Sequence, residues 1–238
     1  LFLKRVKLLR DSSYHQDTYP YSIPAIQQLD ELELAKPVTF FVGENGSGKS
    51  TLMEAIADIC GFHTAGGGRN NTYEVEASEA ALADNIRLSW LPKVTNGFFL
   101  RAESFYHFAS HIDEIGSYHA YGGKSLHHQS HGEAFLSLFQ NRFGKRAIYL
   151  LDEPEAALSP QRQLTFLRIL RDLEKTKQVQ FIIATHSPIL LGYPGADILH
   201  FSEEGIQSVG YEETEHYQIT KGFLHNREGY LKHLFTEE

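Results

Sequence analysis

The chain has 238 residues, 42% of them hydrophobic, enough for one large α/β domain or a domain with a small insert. Its formal net charge of −8 excludes a surface that is basic throughout, as in histone-like DNA binders, but not a local basic patch. The single cysteine, Cys60, excludes an internal disulfide framework or a cysteine-based zinc site; no apolar run approaches a bilayer span, and Leu1-Phe2-Leu3-Lys4-Arg5 lacks the apolar stretch of a secretory signal, so the expected location is a reducing cytoplasm.

Residues 1–10 alternate apolar and basic side chains and predict an edge strand. Residues 11–24 are polar and rich in Tyr and Pro, a loop by composition. Ile26 to Leu34 fits a short helix or a strand. Pro37 to Val42 is a short apolar run that reads as a buried strand, and Leu52 to Ile59 reads as a helix. His63 to Asn71 holds Gly66-Gly67-Gly68 and reads as a loop. Ala77 to Ala83 reads as a helix. Ile86 to Leu91 and Gly97 to Ala102 read as strands split by turn residues, and Phe105 to Ile115 reads as helical.

Gly116 to Gln129 is a Gly-, His- and Tyr-rich loop, followed by a helix over Glu133 to Phe143. Ala147 to Leu151 is a continuous apolar run, as expected of a parallel strand covered on both faces. An amphipathic helix over Gln161 to Thr176 leads to a second buried strand, Val179 to Ala184. Ile198 to Phe201 and Ile206 to Val209 pair around Glu204-Gly205. The tail from Glu212 to Phe235 is mostly helical, with breaks expected near Gly222 and Gly229. Strands alternating with helices after residue 140 indicate a parallel-sheet α/β fold.

Between the first buried strand and its helix lies Gly43-Glu44-Asn45-Gly46-Ser47-Gly48-Lys49-Ser50-Thr51, which fits G-x-x-x-x-G-K-[ST], the phosphate-binding loop. Glycines let the backbone wrap closely around a polyphosphate. The loop amides and the helix N-terminus then face the phosphate charge. Lys49 is expected to reach the β- and γ-phosphates, and Ser50 to ligate Mg²⁺.

The apolar run Ala147–Leu151 ends in Asp152-Glu153-Pro154-Glu155. Asp152 would sit at the carboxyl end of a strand, where ligands collect in open α/β sheets, and hold Mg²⁺ through water. Glu153, beside it, can orient and polarise an attacking water. His186 ends the next buried strand and is placed to hydrogen-bond the γ-phosphate.

Taken together these stretches resemble the ABC-type ATPase superfamily, in the branch that holds the Rad50, SMC and RecF-like ATPases. Gly43–Thr51 resembles its Walker A loop, Ile148–Glu153 its Walker B strand, Glu155–Ser159 its D-loop and Thr185-His186-Ser187 its switch-histidine loop. Ser130-His131-Gly132-Glu133 resembles the signature motif, with Gln129 where Leu is common and His131 where a small residue is usual. The tail Glu215-His216-Tyr217-Gln218-Ile219-Thr220 and Phe223-Leu224 resemble small stand-alone prokaryotic ATPases of AAA/ABC type.

The resemblance implies a P-loop NTPase of ABC-ATPase type: a mostly parallel sheet flanked by helices, an antiparallel β part and a small helical signature subdomain over roughly 103–143, within one domain over 1–238. It implies ATP bound between two chains as a nucleotide-gated homodimer, with Ser130, Gly132 and Glu133 facing the partner's phosphates. His131 is then an interface residue and not a zinc ligand. Glu103 stands where the family's Q-loop glutamine is expected, as a third metal-site candidate. Tyr14, Tyr19 and Tyr21 are candidates to stack on adenine. The leading expectation is ATP hydrolysis in DNA repair or defence, with a protein or nucleic-acid partner. The alternatives are a transporter's nucleotide-binding subunit and a non-hydrolysing ATP-dependent switch.

Overall fold

The structure, a computed structural model, describes residues 1–10, 14–62, 81–102, 131–140 and 146–236. Its centre is a six-stranded sheet in the order β5-β6-β7-β3-β8-β9. The strands are β3 (Val38–Val42), β5 (Gly97–Arg101), β6 (Ala147–Asp152), β7 (Val179–Ala184), β8 (Asp197–Ser202) and β9 (Gly205–Ser208). The first five run parallel, and β9 returns antiparallel on β8. Every residue of β3, β6 and β7 is buried. Their mostly apolar sequences, interrupted by Thr39, Asp152 and Gln180, follow from cover on both faces.

A second sheet, β2-β1-β4, is antiparallel. It comprises β1 (Leu3–Leu8), β2 (Glu31–Glu33) and β4 (Ile86–Trp90). β1 is its central strand, which corrects the edge expectation. Leu3, Val6 and Leu8 are buried while Arg5 and Lys7 face solvent. An antiparallel strand with one wet face alternates in this way wherever it sits in the sheet. Ile26 to Leu34 resolves into both alternatives: α1 (Pro24–Gln27) followed by β2. The consecutive strands β4 and β5 belong to different sheets. Buried Gln180 of β7 ties the sheets together. Its Oε1 accepts the Phe2 and Leu3 amides, each at 2.9 Å, and its Nε2 donates to the Leu3 carbonyl at 2.9 Å.

The helix after the phosphate loop, α2 (Lys49–Cys60), lies between the sheets. Leu52, Met53, Ala55, Ile56 and Ala57 are buried in one cluster with Leu3 and Val6 of the small sheet and Phe41, Ile148 and Ile182 of the large one. A helix covered on two sides needs apolar residues around most of its circumference. It is followed by the short α3 (Ala81–Asp84).

The opposite face of the large sheet carries α4 (His131–Gln140), α5 (Pro160–Lys175) and α6 (Pro188–Leu191). Phe135 and Phe139 of α4 lie 5.9 and 5.3 Å, centroid to centroid, from Phe166 of α5. Each such ring pair contributes about 0.5–1.5 kcal/mol beyond its burial. This cluster seats α4 on α5. Of the expected insert over 103–143, α4 is the described part.

The tail forms α7 (Glu215–His225) and α8 (Arg227–Leu234). The break falls at Asn226, not at the glycines: its Oδ1 accepts the Gly229 amide at 3.1 Å, so Asn226 caps α8. Gly222 lies within α7. A Cβ there would sit 2.4 Å from the Tyr230 hydroxyl, so this glycine permits the approach of α8.

Candidate functional site

The site lies along the carboxyl edge of the parallel strands. Arg101, Asp152, Ala184, Phe41 and Leu199 form one register row across β5, β6, β7, β3 and β8. The Glu153 amide donates to the Ala184 carbonyl at 2.9 Å, and the Thr185 amide to the Phe41 carbonyl at 3.2 Å. The loops after β3, β6 and β7 therefore emerge side by side. This is where ligands gather in open α/β sheets.

The phosphate loop leaves β3 at Gly43, whose φ is +141°. A Cβ there would stand 2.4 Å from the Phe201 carbonyl oxygen, so only glycine fits against β8. Gly48, at φ +99°, turns the chain into α2. Lys49 is 5% exposed, and its ammonium donates to the carbonyls of Gly43 at 2.8 Å and Glu44 at 2.7 Å. Burial lowers its pKa, against the opposing pull of Glu153, Asp152 and Glu155. A cation desolvated in this way gains from an anionic ligand.

Two clefts flank the loop. One, of about 440 Å³, is lined by Glu44, Asn45, Gly46 and Ser47 of the loop, by Pro24 and Ala25 of α1, and by the β8–β9 hairpin. The other, of about 180 Å³, is lined by Ser50, Arg101, Asp152 and Glu153. Thr51 sits half-buried in the first turn of α2. Tyr14, Tyr19 and Tyr21 are not among the residues lining the larger cleft. Tyr21 is 5% exposed and donates its hydroxyl to Asn85; Tyr14 stacks edge-on against it at 4.9 Å.

Ser50 Oγ donates to Asp152 Oδ1 at 3.2 Å. A hydroxyl and a carboxylate are hard oxygen donors that suit Mg²⁺, which completes its shell with water and substrate phosphate. Among the described residues no group of three or more His, Cys, Asp or Glu could hold a metal, so a protein-only cage is absent there. Arg101 is a neighbour that sequence reading missed. Its Nε donates to Asp152 Oδ2 at 3.2 Å, and its Nη2 pairs with buried Glu54.

Glu153 adopts a left-handed backbone conformation, φ 50° and ψ 51°. For a residue other than glycine this costs about 1–2 kcal/mol. Its half-exposed carboxylate has Oε1 3.5 Å from His186 Nε2, without hydrogen-bond geometry. That imidazole nitrogen is buried and, among the described residues, has no hydrogen-bond partner. Glu155 holds the histidine loop from below. It accepts the Thr185 hydroxyl at 2.7 Å and the His186 amide at 2.6 Å. His186 Nδ1 meets His216 Nε2 of α7 at 2.8 Å. Glu155 is legible in the sequence only as the start of the D-loop resemblance, and the contacts of Glu155 and His216 with His186 span about 30 residues of chain.

Glu133 is exposed at the start of α4 and pairs with Arg162 at 3.3 Å. Gly132 lies in the same turn. Ser130 and Glu103 lie outside the described residues, so their expected roles stay with the sequence.

Two family models match, "AAA domain, putative AbiEii toxin, Type IV TA system" over residues 134–192 and "AAA domain" over residues 22–118. The first spans the Asp152–His186 half of the site and the second the phosphate loop. Among curated proteins, "Protein ea59" of Escherichia phage lambda is 46% identical over 48 residues, which is 20% of this chain and 9% of that protein. A nucleotide-free ATP-binding cassette from an ABC transporter superposes with a TM-score of 0.54 at 17% identity, over 97% of this chain and 99% of that one. The chain has the fold of the ABC-type ATPase superfamily. The cbiO1 protein of Clostridium perfringens, part of the ABC transporter complex cbiONQ, superposes on this ABC-type fold with a TM-score of 0.52 at 19% identity, over 98% of each chain. The expected α/β class, with its parallel sheet and separate antiparallel part, is borne out. The AAA-type matches and the ABC-type fold together support a nucleotide-binding ATPase domain. Among the described residues no helix is long and apolar enough to cross a membrane.

Proposed function

We propose that the chain hydrolyses ATP to ADP and phosphate and closes as a nucleotide-gated homodimer in the cytoplasm. The observation that supports it best is the convergence of Lys49, Ser50, Asp152, Glu153 and His186 at one sheet edge. Lys49 and the amides of Gly43–Thr51 neutralise the polyphosphate. Ser50 and Asp152 would hold Mg²⁺, which supplies positive charge to the phosphate oxygens when bound. Glu153 orients a water molecule whose oxygen bonds to the γ-phosphorus as the bond to the bridging oxygen breaks. The water's proton passes to the carboxylate. His186 donates a hydrogen bond to the γ-phosphoryl oxygens.

Ser130, Gly132 and Glu133 serve the phosphates of the partner chain, which makes closure depend on ATP. The coupled process is read as phage defence or DNA repair. Its support is the AbiEii toxin description of the family matched over residues 134–192 and the phage origin of the 48-residue relative.

The deciding experiment is Glu153→Gln. The variant should bind ATP, lose hydrolysis and accumulate as an ATP-bound dimer in light scattering. Turnover equal to wild type would reject the role of Glu153. DNA-stimulated turnover that falls steeply with salt would favour a nucleic-acid partner.

A further inference from the structure

The half-buried imidazole of His186 meets a second histidine that the catalytic scheme does not use. His216 comes from the first turn of α7, in the C-terminal tail. It is fixed there because the cap residue Thr214 is buried and accepts the Tyr217 amide at 3.4 Å. Its Nε2 lies 2.8 Å from His186 Nδ1, and the ring centroids are 5.0 Å apart. His186 is otherwise held through its backbone, by Glu155. Among the described residues, then, His216 makes the one hydrogen bond to the His186 ring.

One proton must lie between the two nitrogens, and which ring owns it decides what His186 presents at its other end. If His186 carried the proton on Nδ1, its neutral ring would turn a lone pair on Nε2 towards the Glu153 carboxylate, 3.5 Å away, and towards any phosphate oxygen. Acceptors would then face acceptors. If His216 donates, His186 carries its proton on Nε2, a donor aimed at both.

We propose that His216 is a positioning residue which, by donating its Nε2–H to His186 Nδ1, locks His186 in the tautomer that hydrogen-bonds the γ-phosphate. This rests on the reading of His186 as the γ-phosphate contact. It makes the tail helix α7 part of the hydrolytic apparatus. Burial, the largest cause, lowers the His216 pKa, which favours the neutral ring that can donate from Nε2.

The test uses the full chain with ¹⁵N-labelled histidine, the His186 signals being assigned by their loss in His186→Gln. In wild type, His186 should be neutral and protonated on Nε2; a neutral ring protonated on Nδ1, or a cation, overturns the proposal. His216→Glu offers only acceptors, so it should move the His186 proton to Nδ1 and lower kcat about tenfold with the ATP KM unchanged. His216→Gln can still donate and should restore both the tautomer and most of kcat. A His186 tautomer that ignores His216→Glu, or a Gln variant as slow as the Glu variant, overturns the positioning role. If His186→Ala hydrolyses ATP as fast as wild type, the γ-phosphate reading fails, and the proposal falls with it. That failure is distinguishable because the tautomer response to His216→Glu persists.

Discussion

Glu155 Oε1 accepts the backbone amide of His186 at 2.6 Å, while its Oε2 accepts the Thr185 hydroxyl at 2.7 Å. The loop after β6 thereby holds the loop after β7. Burial raises the Glu155 pKa above the ordinary 4.5, and the hydrogen bonds from His186 and Thr185 only partly offset this. The folded state therefore binds this proton more tightly than the unfolded state. The associated stability is fully present below 4.5 and is lost as pH rises through the raised value. Urea denaturation over that window should show wild type losing stability relative to Glu155→Gln as pH rises. The opposite trend would mean that the hydrogen bonds, not burial, govern this carboxylate.

Arg101 bridges two buried carboxylates, Asp152 and Glu54. Removing one partner of a buried ion network leaves uncompensated charge. Arg101→Met should therefore cost about 3 kcal/mol in urea denaturation. Millimolar Mg²⁺ should recover more stability in the variant than in wild type, because a cation at Asp152 replaces part of the lost charge. Equal Mg²⁺ effects on both proteins would separate Arg101 from the metal site.

Lys49 is buried against backbone carbonyls and stripped of most of its water. A charge-assisted contact of about 1.5–3 kcal/mol corresponds to roughly 10–150-fold in affinity. Lys49→Ala should weaken ATP binding by that factor in calorimetry and abolish ATP-dependent dimerisation with it. Dimerisation indifferent to both ATP and the substitution would reject nucleotide gating.

Gln180 carries three hydrogen bonds between the sheets from a fully buried position. Gln180→Leu strands two amides and a carbonyl, so thermal or urea melts should report a loss of roughly 2–4 kcal/mol. ATP turnover, measured well below the melting range, should stay close to wild type.

The parts of the site readable from the chain alone are those encoded in contiguous strings. Gly43–Thr51 announces itself by its glycines between an apolar run and a helix, and Asp152-Glu153 by the run that precedes it. Arg101, Glu155, Gln180 and His216 gain their meaning from neighbours in space. Arg101 meets Asp152 because β5 pairs with β6 in a particular register, and hydrophobic periodicity carries no record of which strand lies beside which. The edge reading of β1 failed for the same reason: alternation reports a wet face, not a place in the sheet. The sequence places tail breaks near glycines because glycine is a weak helix former, yet Gly222 lies within α7 and the chain breaks at Asn226, whose side chain caps the start of α8.

The position of α2 between two sheets has a mechanical consequence. Its first residue is Lys49, and its buried residues share one apolar cluster with β1 on one side and with β3, β6 and β7 on the other. The small sheet thus cannot slide over the large one without disturbing the helix that begins at Lys49. Any body that grips the exposed face of β1, through Arg5 and Lys7, holds a lever whose short arm ends at Lys49.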